Sequence, residues 1–98
     1  MIRKAHPNSF LDTPLAETLR AEGVDAVVVC GMMTSMCVDA TARAAADLGF
    51  AVTVVHDACA APDLEFGGET IPAQQVHGAF LAALGDYGTV AATDDLVT

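Results

Sequence analysis

Three cysteines, Cys30, Cys37 and Cys59, are the side chains of this sequence best suited to covalent chemistry. An odd number leaves one thiol unpaired under any intramolecular disulfide pattern, and none of the spacings forms the paired CxxC of a zinc site. Reduced thiols follow, and what precedes each one decides its use. Cys37 comes after GMMTSM (31–36) and before an alanine-rich run. Gly31 permits a sharp turn, which puts Cys37 in the first turn of the next helix, where unsatisfied N–H groups and the helix dipole favour a thiolate. The same N–H groups can receive the charge that develops on a carbonyl oxygen under attack, so nucleophile and oxyanion hole become neighbours. The competing reading of Cys37 is a small buried side chain, since cysteine is among the most buried residue types. Cys30 and Cys59 read that way.

The residues around Cys37 suggest its surroundings. Met32, Met33 and Met36 form an adaptable apolar pocket wall or fill core. Thr34 is expected to hydrogen-bond within the turn, and Met32, Thr34 and Met36 together are the expected substrate-pocket residues. His56 and Asp57 follow an apolar run and either line the site or cap a turn. His77 falls at the margin of a helical apolar face and reads as structural. Lys4, taken by itself, is an exposed terminal lysine.

The elements that must position these residues are readable from hydrophobic periodicity. Residues 24–30 (VDAVVVC) and 51–55 (AVTVV) are short β-branched runs, as in strands buried on both faces of a parallel sheet. A helix is predicted over 14–22, with Asp12 or Thr13 as N-cap, Pro14 in its first turn and Gly23 past its end. A second helix runs through the alanine-rich stretch to Gly49, and a third spans 73–84 and stops at Gly85. Two prolines and Gly67-Gly68 make DACAAPDLEFGGETIP (57–72) read as a long loop, its acidic residues solvated. With strands at 2–4 and 89–92, the order alternates strand and helix. That predicts an α/β fold: a mainly parallel sheet with helices on both faces in three αβα layers. A right-handed crossover from a strand ending at Lys4 to one ending at Cys30 sets both ends on one sheet edge, where ligands bind, so Lys4 can reach Cys37.

GMMTSMCVDATARAAADLGF followed by AVTVVHDACA resembles the isochorismatase-like cysteine hydrolases, the group that includes nicotinamidases and N-carbamoylsarcosine amidases. Upstream, RKAHPNSFLDTPLAETLRAEGVD is similar to the family's lysine segment. The resemblance implies that Cys37 is the nucleophile and Lys4 the catalytic cation. It also implies a cis peptide between Met32 and Met33, with the N–H groups of Met33 and Cys37 as oxyanion hole. Presence of the thiol implies hydrolysis of a small amide or related C–N bond rather than vinyl-ether cleavage. Family members carry a further catalytic aspartate at the end of the domain's first strand, and nicotinamidases carry metal-binding Asp and His positions. None of these has a match here, so the chain is expected to be a single domain (1–98) lacking its N-terminal part, with no metal or cofactor of its own. Full activity is then expected to need that missing segment. The alternative is a non-catalytic truncated homologue that serves as an assembly domain.

Length and charge close off other classes. Ninety-eight residues, 53% of them hydrophobic, suffice for one small core. Four Lys/Arg against thirteen Asp/Glu give a net charge of −9, which repels phosphate backbones and anionic lipid headgroups, so neither nucleic acid nor membrane is an expected partner. The opening MIRKAHPNSF lacks the apolar core of a signal peptide, and a cytoplasmic location is expected. The expected partners are a small-molecule substrate and either a second copy of the chain or a complementing N-terminal polypeptide.

Overall fold

The computed structural model describes residues 1–96. The two β-branched runs pair in parallel as β1 (Ala26–Met32) and β2 (Ala51–Ala60), and β5 (Thr89–Ala91) adds to the other side of β2 in the order β1-β2-β5. β2 is twice the length expected. It continues past Val55 because β1 bulges between Val29 and Gly31, after which Gly31 and Met32 pair with Cys59 and Ala60.

Three helices connect these strands: α1 (Leu15–Ala21), α2 (Asp39–Asp47) and α3 (Ala73–Leu84). The Thr13 hydroxyl accepts the Leu15 N–H at 3.3 Å, so Thr13 does act at the start of α1. α2 and α3 lie on the sheet face formed by Val27, Val29, Val52, Val54 and Val90, and with Phe50, Leu81 and Leu84 they build the core. Ala42 and Ala45 are fully buried in it, their short side chains letting α2 sit close to the sheet. On the opposite face β1 presents Val28 (59% exposed) and Met32 (69% exposed). The molecule is thus a mixed α/β fold with a parallel sheet, as expected.

Three expectations are corrected. Residues 2–4 form no strand: three residues offer too few ladder hydrogen bonds to offset their ordering, and the chain turns at once through Pro7. Residues 64–71 are not loop but an antiparallel hairpin, β3 (Leu64–Phe66) and β4 (Glu69–Ile71). Gly67 (φ 64°) and Gly68 (φ 82°) supply the two positive φ angles of a two-residue hairpin turn, so the pair read as a breaker is what closes the strands. Cys30 is exposed rather than buried, because it alternates onto the Val28 side of β1.

Candidate active site

The strand-to-helix connection after β1 is irregular in its backbone. Gly31 has φ 126°, the Met32–Met33 peptide is cis, and Thr34–Val38 form a single π-helical turn before α2 begins. The Met33 carbonyl accepts the N–H groups of Met36 (3.0 Å) and Val38 (3.1 Å), which closes that turn. Cys37 sits in it, half-buried.

Lys4 Nζ stands 3.3 Å from Cys37 Sγ and donates to the His6 carbonyl at 3.1 Å. The ammonium arrives without the strand expected to carry it. The side chains of the 4–13 segment tie it instead to α2: Thr41 Oγ1 accepts the Ser9 N–H (3.0 Å), donates to the Pro7 carbonyl (3.2 Å) and lies 3.0 Å from Ser9 Oγ. Thr13 Oγ1 donates to the Ser9 carbonyl and Asn8 Oδ1 accepts the Phe10 N–H, while Phe10 stacks on Phe50 with ring centroids 6.0 Å apart. Thr41 therefore holds the segment that brings Lys4 to the thiol. Sequence reading missed it, because an α2 threonine gives no sign of a partner 32 residues away.

A cavity of about 420 Å3 opens beside the pair. Lys4, Ser9, Cys37 and Thr41 line its polar side, and Phe10, Leu15, Leu19 and β1 residues through Met32 line the rest. Of the expected pocket residues Met32 lines it. Met36 is exposed outside the lining, and Thr34 is fully buried with its hydroxyl 2.8 Å from His77 Nδ1. Thr34 thus bonds to α3 rather than within the turn, because the π turn directs it into the helical layer. Ser35 Oγ is buried without a hydrogen-bond partner among the described residues.

His56, Asp57, Cys59 and His77 do not line this cavity. Asp57 Oδ1 accepts the N–H and hydroxyl of Thr93, both at 2.8 Å, and those bonds hold its carboxyl below the usual range. Asp57 lies within β2 and ties it to the start of the short helical turn Thr93–Asp95, 36 residues on, rather than capping a turn next in sequence. Cys59 donates to the Val55 carbonyl, and burial pushes its thiol up. Among the described residues no three His, Cys, Asp or Glu side chains converge as a metal site, and no Asp or Glu lines the cavity.

A thiol, an ammonium 3.3 Å from it and an irregular turn thus lie together at the carboxyl end of a parallel strand. The family model of the isochorismatase domain matches residues 1–84. The chain belongs to the isochorismatase family. It is 50% identical over 95 residues to the uncharacterised isochorismatase family protein YddQ of Bacillus subtilis, covering 96% of this chain and 53% of that one. It is 42% identical over 92 residues to a streptothricin hydrolase of Streptomyces noursei, covering 88% of this chain and 32% of that one. Among solved structures, a cysteine hydrolase from Pseudomonas syringae superposes with a TM-score of 0.92 at 30% identity, over 98% of this chain and 46% of that one. This isochorismatase-family chain thus spans about half the length of YddQ and less of the other two. No helix among the described residues is long and apolar enough to cross a membrane.

Proposed function

We propose that the Cys37 site is that of a cysteine hydrolase acting on a small amide or related C–N bond. The observation that carries this reading is the 3.3 Å contact between Lys4 Nζ and Cys37 Sγ, across 33 residues of sequence. That contact sets a positive charge beside the sulfur. The Cys37 sulfur attacks the carbonyl carbon, a C–S bond forms, and the carbonyl π electrons move onto oxygen. The N–H groups of Met33 and Cys37 receive that oxyanion. Collapse of the tetrahedral adduct breaks the C–N bond, and the nitrogen leaves with a proton. Water then attacks the thioester and the C–S bond breaks, releasing a carboxylic acid and the Cys37 thiolate. The second proton of the water goes to the same base that gave a proton to the leaving nitrogen.

Among the described residues no Asp or Glu lines the cavity, and in this reading a general base on a complementing polypeptide segment carries the proton. The exposed β1 face favours one further reading, an assembly domain without catalysis, and the same experiment separates the two. Iodoacetamide at pH 7 should modify Cys37 ahead of Cys30 and Cys59, as mapped by mass spectrometry. Lys4→Ala should slow that reaction, and Cys37→Ala should remove any amide turnover. Adding the complementing segment should raise turnover by at least about 10², the lower end of what a general base supplies. Preferential labelling of Cys30 or Cys59 in folded protein would overturn the site assignment.

A further inference from the structure

We propose that His77 is a positioning residue for Cys37, acting through the buried hydroxyl of Thr34; the proposal rests on Cys37 being the nucleophile. Thr34 is fully buried, at 0% exposure. Its hydroxyl meets His77 Nδ1 at 2.8 Å, across 43 residues of sequence. The hydroxyl donates to a bare Nδ1 or accepts from Nδ1–H, so the bond survives either tautomer.

The two ends of this bond differ in how firmly they are held. His77 lies on α3, which the buried side chains Val76, Leu81 and Leu84 fix against the core. Thr34 opens the five-residue π turn that carries Cys37 three positions later. The turn's own polar bonds are backbone ones to the Met33 carbonyl, and the adjacent Ser35 hydroxyl is buried without a partner among the described residues. An apolar pair at 34 and 77 would fill the same space, but it would not fix the rotation of the turn. A directional bond to a fixed helix does. The direction of the Cys37 sulfur towards Lys4, and of the turn's N–H groups towards the cavity, is thereby set from the far side of the turn.

The test is site-resolved alkylation of the 98-residue chain, with Cys30 and Cys59 as internal references. Thr34→Val keeps the shape of the side chain and removes the hydroxyl. His77→Leu removes the ring nitrogen, and His77→Asn takes its place should that variant not fold. Each is expected to slow Cys37 alkylation roughly tenfold, within the 10² that an ångström of misplacement can cost a reacting group. Cys30 and Cys59 should keep their rates, and far-UV circular dichroism should be unchanged. The double variant should be no slower than either single one, as expected when both changes break one bond. Thr34→Ser, which restores a hydroxyl, should recover most of the rate.

Equal slowing or quickening of all three cysteines would assign the bond a purely structural role and overturn the proposal. So would wild-type Cys37 reactivity in Thr34→Val. Failure of the underlying reading would look different: Cys37 in the unaltered protein would then be no more reactive than Cys30.

Discussion

Thr41 links the helix that follows Cys37 to the segment that carries Lys4, through Ser9 and the Pro7 carbonyl. Lys4 itself is exposed, and an exposed ammonium contributes little unless its geometry is imposed. Thr41→Val should therefore loosen the 4–13 segment without disturbing α2, whose buried positions are Ala42 and Ala45. Cys37 alkylation is expected to slow by about two- to tenfold, the worth of one hydrogen bond, and no further than in Lys4→Ala. Thr41→Val at the wild-type rate would mean that Lys4 finds the thiol unaided. The place of Cys37 at a strand-to-helix turn was legible because GMMTSMC holds turn, thiol and helix start within seven consecutive residues. Thr41 and His77 were not, since what they do depends on partners 32 and 43 residues away that no local pattern marks.

Among the elements, the helices and the first residues of the strands were readable because burial on one face imposes a period. What hid the hairpin and the second half of β2 was that their pairing depends on a bulge in β1 and on a Gly-Gly turn, neither of which carries periodicity. Close approach is equally invisible in sequence. A Cβ placed on Gly88 would collide with the backbone carbonyl of Val52, where the chain enters β5. Gly88→Ala should destabilise the fold by about 1 to 3 kcal/mol, the range for overpacking, as read from urea unfolding midpoints at unchanged slope. Asp57 ties β2 to the turn after β5 through Thr93. Its carboxyl lies below the ordinary value of 3.8 in the folded state, so the unfolded chain takes up the proton first as pH falls. That contribution is fully present above about pH 4, the ordinary aspartate range, and is lost below it. Asp57→Asn should therefore unfold with a shallower acid dependence between neutral pH and pH 3. An identical acid profile in the two proteins would show that the Thr93 bonds contribute nothing to folding.

At the scale of the molecule, the sheet is asymmetric. Its core face is covered by α2 and α3, whereas β1 is an edge strand whose other face exposes Val28 and Met32, and the hairpin exposes Phe66 at 82%. The radius of gyration is 14.0 Å, against about 13 Å for a compact domain of 100 residues. An open strand edge next to apolar surface is what proteins ordinarily cover by pairing. Covering it gains about 25 cal/mol per Å2 of apolar area removed from water. The opposing charge of −9 acts weakly beyond about 8 Å at physiological salt. We therefore expect the isolated 98 residues to self-associate, with a mass above 10.0 kDa that rises with concentration in sedimentation equilibrium. Val28→Lys, which sets a charge on the open face while leaving Val27 and Val29 in the core, should shift the distribution towards monomer. A complementing segment that seats on β1 should do the same, since it competes for the same edge. A monomer at every concentration, unfolding cooperatively, would show that α2, α3 and three strands suffice as a finished core, and that the β1 face needs no cover.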